Sequence, residues 1–124
     1  MSDSNKGVAT SFLNLASSGR VDEAYSKFVG NGFRHHNAFF EGSMESLRAG
    51  MKENAIQNPA KVFEVKRVIA EGDFVVTHSH VQQKPGDLGA AVVHIFRFEN
   101  GKIVELWDLG QPIPENSPNQ YGMF

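Results

Sequence analysis

The chain has 124 residues, 40% hydrophobic and 21% charged, which suits one globular domain with a single core and little room for a second. Its 12 basic and 14 acidic residues leave a net charge of -2 with no block of either sign, so neither nucleic acid nor a membrane surface is an expected partner. The absence of cysteine excludes thiol nucleophiles, disulfides and cysteine-built zinc sites.

The start, Met1-Ser2-Asp3-Ser4-Asn5-Lys6, is polar and lacks the apolar core of a signal peptide. No apolar run approaches the roughly 18 residues of a membrane span, which makes the cytoplasm the default compartment. Val8, Phe12, Leu15 and Ala16 recur at helical spacing and predict a helix ended by Ser17-Ser18-Gly19. Val21, Tyr25, Phe28 and Val29 predict a second, short helix closed by Gly30 and Gly32. Two short helices with one sticky face must pack onto something else.

Residues 32–40 are aromatic-rich and too short for a useful helix, so they read as a short strand running into a loop. His35 and His36 should then point to opposite faces. Ser43 is an expected N-cap for a third helix through about Gln57, with Met44, Leu47, Met51 and Ala55 as its buried stripe and Asn58-Pro59 as its stop.

From Lys61 the period becomes extended. Strands are expected at 62–70, 74–83 and 89–98, separated by Glu71-Gly72-Asp73 and by Lys84-Pro85-Gly86-Asp87. Asn100-Gly101 then predicts a tight hairpin into a last strand carrying Trp107, Asp108 and Gln111. Short connections favour an antiparallel meander, and three early helices with four late strands make an α+β pattern. Both strand faces are largely apolar, so one should meet the helices and the other a partly enclosed space or a partner subunit. The tail, residues 112–124, has three prolines and no period, yet ends on Tyr, Met and Phe, which favours docking over solvent disorder.

Phe33-x-x-His36-Asn37, Arg67-Val68-Ile69-Ala70-Glu71-Gly72-Asp73 with His78-Ser79-His80-Val81, and Ile95-Phe96-Arg97-x-Glu99-Asn100-Gly101-Lys102-Ile103-Val104-Glu105-x-Trp107-Asp108 stand together over nearly the whole chain. The combination resembles the SnoaL-like family of polyketide-cyclase or aldol-condensation type, within the nuclear-transport-factor-2-like superfamily. That resemblance implies a cone-shaped α+β fold in one domain, residues 1–124, its strongly curved mixed or mostly antiparallel sheet wrapped around about three N-terminal helices. It implies a pocket between sheet and helices, and a homodimer formed through the sheet. Enzymes and non-catalytic binders share this pocket in the superfamily, so the fold leaves the function open. The chain departs from the pattern twice: Leu106 stands where relatives often carry His, and His94 where they often carry Asp.

Asp108 is the first candidate for chemistry. An aspartate between Trp107 and Leu109 without an adjacent cation should have a raised pKa in an apolar pocket, suiting it to remove a proton α to a carbonyl. His36 could polarise that carbonyl and Asn37 could donate a hydrogen bond to it. His78 and His80 share a strand face, and one of them lining the pocket would complete the acid–base set. With His94 they could also form a three-histidine zinc site, but no further ligand completes a recognisable motif, and neither a metal nor a cofactor is expected. Trp107 lies opposite Asp108 on a regular strand and reads as wall. His94, Leu106 and Gln111 are further pocket contacts, and Arg97 and Glu105 are expected to pair across the hairpin.

The leading expectation is a cofactor-independent cyclase, aldol-type catalyst or isomerase acting on a small apolar molecule with a carbonyl or hydroxyl. A non-catalytic ligand-binding homodimer is the alternative, and a dimer with a vestigial pocket the third.

Overall fold

The computed structural model describes residues 4–124; residues 1–3 of the polar start lie outside the described residues. Helix α1 (Asn5–Ser17) is capped by Ser4, whose hydroxyl accepts from the Gly7 amide at 3.2 Å. Its buried stripe is Val8, Ala9, Phe12, Leu13 and Ala16, close to the predicted one with Leu15 at its margin. Helix α2 (Val21–Phe28) buries Val21, Ala24, Tyr25 and Phe28.

Strand β1 (Val29–His35) begins where α2 ends, earlier than the spacing predicts. Gly30 and Gly32 belong to this strand instead of closing the helix. A Cβ on Gly30 would sit 2.9 Å from the Lys102 Cβ, and Gly32 has φ +75°, so each glycine serves a close or twisted strand crossing. Helix α3 (Met44–Gln57) has the predicted cap: Ser43 Oγ accepts from the Ser46 amide at 3.1 Å. Only Leu47 of its stripe is fully buried, with Met44 and Met51 packed against the core from its edge.

Four strands follow: β2 (Val62–Glu71), β3 (Phe74–Gln82), β4 (Ala90–Glu99) and β5 (Lys102–Pro112). They form the expected antiparallel meander, and β1 adds to it in parallel beside β5, giving a mixed sheet of order β1-β5-β4-β3-β2. Asn100 (φ 52°) and Gly101 (φ 78°) make the β4–β5 turn with the left-handed geometry that two-residue hairpins need.

The inner face of the curved sheet carries Val75, Phe96, Phe98, Ile103 and Leu106, all covered by the helices. Phe12 is the hub. Its ring meets Tyr25 edge-on at 5.3 Å and Phe96 at 6.1 Å, with no exposed area. The outer face keeps Ile69, Phe74 and Leu109 exposed at 60%, 44% and 60%. The tail folds back over this outer face: the Phe124 ring lies 4.7 Å from the His80 ring and 5.3 Å from that of His78. No helix among the described residues is long and apolar enough to cross a membrane.

Candidate functional site

Between the inner sheet face and helices α1 and α3 lies a cavity of about 240 Å³. That is a little below the roughly 300–1,000 Å³ of ordinary ligand sites, so only a small molecule fits. Leu13, Leu47, Met51 and Phe63 supply apolar wall, and Phe40, from the β1–α3 loop, packs its ring against Gly50 of α3. Six polar side chains interrupt that wall: Ser17, Asn37, Asn54, Lys61, His94 and Asp108.

Asp108 reaches the cavity because strand alternation turns it inward from β5, with Trp107 and Leu109 outward. Its carboxylate is not isolated. Asn37 Nδ2 donates to Oδ2 at 2.8 Å, and His94 Nε2 stands 3.3 Å from Oδ1. Asn37, His94 and Asp108 form one three-residue cluster. His94 is directly opposite Asp108 in the β4–β5 ladder, and its burial holds the imidazole pKa below the usual value against the opposing pull of the Asp108 charge. The contact is a close charge–imidazole approach without hydrogen-bond alignment, and His94 Nδ1 is buried without a partner among the described residues. Thr77, the cross-strand neighbour of His94 on β3, likewise buries an unpartnered hydroxyl.

The loop that carries Asn37 is held by His35, the histidine that faces away from His36. His35 Nδ1 accepts from the Asn37 amide at 3.0 Å, so its Nε2 carries the proton and donates to the Glu41 carbonyl at 2.6 Å. Asn37 Oδ1 in turn accepts from the Phe39 amide at 2.9 Å. Asn37 and Asp108 also line a second hollow with His36 and Phe39, so the carboxylate stands in the wall between the two.

The other predicted site residues lie elsewhere. His36 is on the outer face, stacked on Trp107 at 4.9 Å and 8°, with its Nε2 2.6 Å from Glu105 Oε2. Strand alternation separates it from Asp108, so it joins the outer hollow and not the inner cavity. Trp107 itself packs on His36 and Phe74. His78 and His80 face outward beneath Phe124, and the His80 Nε2 is taken by the Leu88 carbonyl at 2.8 Å. With His94 on the inner face, these three histidines cannot converge, and no group of metal-ligating side chains gathers among the described residues. Leu106 is fully buried in the core, and Gln111 is exposed near the tail, beside Met123.

Glu105 anchors the outer face. It is only 4% exposed and accepts from Arg34 Nε at 3.0 Å, His36 Nε2 at 2.6 Å and Arg97 Nε at 3.0 Å. The hydrogen bond from Arg34, then those from His36 and Arg97, hold its carboxyl at about 2, well below 4.5. The Arg97–Glu105 pairing is the cross-hairpin contact the sequence predicts, with Arg34 added from the parallel strand.

Two cavity residues have no signal in the sequence. Lys61 is a lone lysine at a strand start, and Phe40 one aromatic among several in an irregular loop. Only the packing of α3 over the sheet brings them to the same space as Asp108.

A family model described as a SnoaL-like domain matches residues 9–106. No curated protein matches. Among solved structures, a SnoaL-like protein of unknown function from Burkholderia thailandensis superposes with a TM-score of 0.72 at 15% identity, covering 90% of this chain and 98% of that one. An uncharacterized cystatin fold protein from Novosphingobium aromaticivorans gives 0.72 at 20% identity over 87% and 99%. An NTF2-like protein of unknown function from Cytophaga hutchinsonii gives 0.70 at 16% identity over 90% and 94%. At these identities the likeness is one of fold.

Proposed function

The chain belongs to the SnoaL-like domain family, and from that premise we propose that its inner cavity carries out cofactor-independent acid–base chemistry at a carbonyl: a cyclisation, aldol-type condensation or isomerisation. The observation that carries this reading is the Asp108 carboxylate in a mostly apolar cavity, held by Asn37 and His94. The single hydrogen bond from Asn37 leaves lone-pair directions on both oxygens, enough to take a proton from a carbon beside a carbonyl. Asn37 and neutral His94 fix the carboxylate and then donate to whichever oxygen develops charge. The substrate is a small apolar molecule with a carbonyl or hydroxyl, matched to the cavity wall.

A second reading, a non-catalytic binder of the same molecule, draws on two observations. One Asp108 oxygen already accepts from Asn37 while the other lies against His94, and Leu106, where relatives often carry a histidine, is sealed in the core. In either case the exposed Ile69, Phe74 and Leu109 favour a homodimer formed through the outer sheet face, and His36, His78, His80 and Trp107 belong to that face and not to the chemistry.

The two readings part on proton exchange. In deuterium oxide, the protein should exchange the α-protons of a small bicyclic ketone such as 2-tetralone, followed by proton NMR, and Asp108→Asn should abolish it. Saturable binding of the ketone without exchange selects the binder. Undiminished exchange by Asp108→Asn removes Asp108 from the mechanism.

A further inference from the structure

The cavity contains a cation that the acid–base reading does not use. Lys61 sits half-buried at the head of β2, lines the cavity, and donates its ammonium to Oδ1 of Asn54, another lining residue. Among the described residues no carboxylate forms an ion pair with it. A lysine ammonium has three N–H donors, and the Asn54 amide oxygen satisfies one while holding the head group in place. Burial also pushes its pKa below the ordinary lysine value. A partly desolvated, positioned cation without a counter-charge is a poor structural element and a good receptor for one.

Its position matters as much as its charge. Asp108 lies on β5 and Lys61 precedes β2, with β4 and β3 between them in the sheet. Both line the one cavity, so a single ligand can meet the carboxylate and the ammonium through different groups. An anionic group cannot sit against the Asp108 carboxylate, and the free N–H groups of Lys61 are where it is stabilised. Leu13, Leu47, Met51 and Phe63 supply the apolar wall of the same cavity.

We propose that the cavity selects an apolar molecule bearing one anionic oxygen group, a carboxylate or phenolate, with Lys61 as the anchor that fixes which end faces Asp108. This rests on the cavity being a ligand site, and not on Asp108 acting as a base.

The test compares 2-naphthoate with its methyl ester, by calorimetry at pH 7, on the wild type, Lys61→Met, Lys61→Arg and Asp108→Asn. The two probes share the apolar body and differ in charge. The wild type should prefer the acid about tenfold or more, as expected for one charge-assisted hydrogen bond. Lys61→Met should bring acid and ester to parity while binding the ester as the wild type does, which also shows that the variant is folded. Lys61→Arg should keep part of the preference, and Asp108→Asn should keep all of it or increase it. Equal wild-type binding of acid and ester overturns the anchor and leaves the ligand-site reading standing. A preference that survives Lys61→Met overturns it too, by placing the anion elsewhere. Binding of neither probe overturns both.

Discussion

His94 and Asp108 face each other directly across the β4–β5 ladder, and on the inner face their side chains close to 3.3 Å between Nε2 and Oδ1. The pair is 8% and 21% exposed, so its electrostatics are set by the protein more than by water.

The buried histidine makes stability depend on pH. Its folded pKa lies below the unfolded 6.5, so the unfolded chain binds the extra proton, and the favourable contribution present above 6.5 is lost as pH falls below it. In His94→Phe that dependence disappears. Urea midpoints at pH 7.5 and pH 5.5 should fall more in the wild type than in the variant; parallel falls would show that His94 is not buried in its neutral form.

Asn37→Asp places a second carboxylate where an amide now donates to Asp108 at 2.8 Å. The lost donor and the like-charge contact together should cost about 2–3 kcal/mol at pH 7. Sharing one proton raises the apparent pKa of the pair, so the deficit shrinks as the pH drops towards 4.5. Chemical denaturation of both proteins at the two pH values measures it, and a deficit independent of pH would contradict the contact.

Glu105 gives the complementary acid limb. With its folded pKa at about 2 against 4.5 unfolded, its contribution is complete above 4.5 and drains away between there and 2. Glu105→Gln should lose about 1–2 kcal/mol at neutral pH, kept modest because the Arg34 side chain is 66% exposed and can be resolvated. The gap between variant and wild type should close in acid, as read from melting temperatures at pH 7 and pH 3.

Gly50→Ala probes the wall of the cavity. The new Cβ would stand 2.4 Å from Phe40 Cε1, so the ring, 41% exposed and on a loop, must swing away. The helix gains about 0.5–1 kcal/mol from losing a mid-helix glycine, which offsets the displaced contact and leaves stability nearly unchanged. Loss of the aromatic wall should weaken binding of methyl 2-naphthoate by about 1 kcal/mol, roughly fivefold. Unchanged affinity in calorimetry would place Phe40 outside the ligand's reach.

Much of the architecture could be read from short-range pattern. The stripe through Val8, Phe12 and Ala16, the Ser43 cap, the β-branched strands and the Asn100-Gly101 turn all act within a few residues of themselves. Alternation alone also set Trp107 and Asp108 on opposite faces.

The partners of Asp108 could not be read that way. Counting back from the turn, Glu99 pairs with Lys102 and Phe98 with Ile103, and a regular ladder would next set Arg97 against Val104 and His94 against Trp107. A bulge at Val104 slips the register by one, so Arg97 meets Glu105 and His94 meets Asp108. That single extra residue brings the imidazole and the carboxylate to the same face. The parallel docking of β1 then delivers Asn37 to the carboxylate, and the packing of α3 brings Phe40 and Lys61 to the same hollow. Local preferences decide which segments coil and which extend. The company a charged group keeps is decided by strand register and helix docking, because those contacts join residues far apart in the chain.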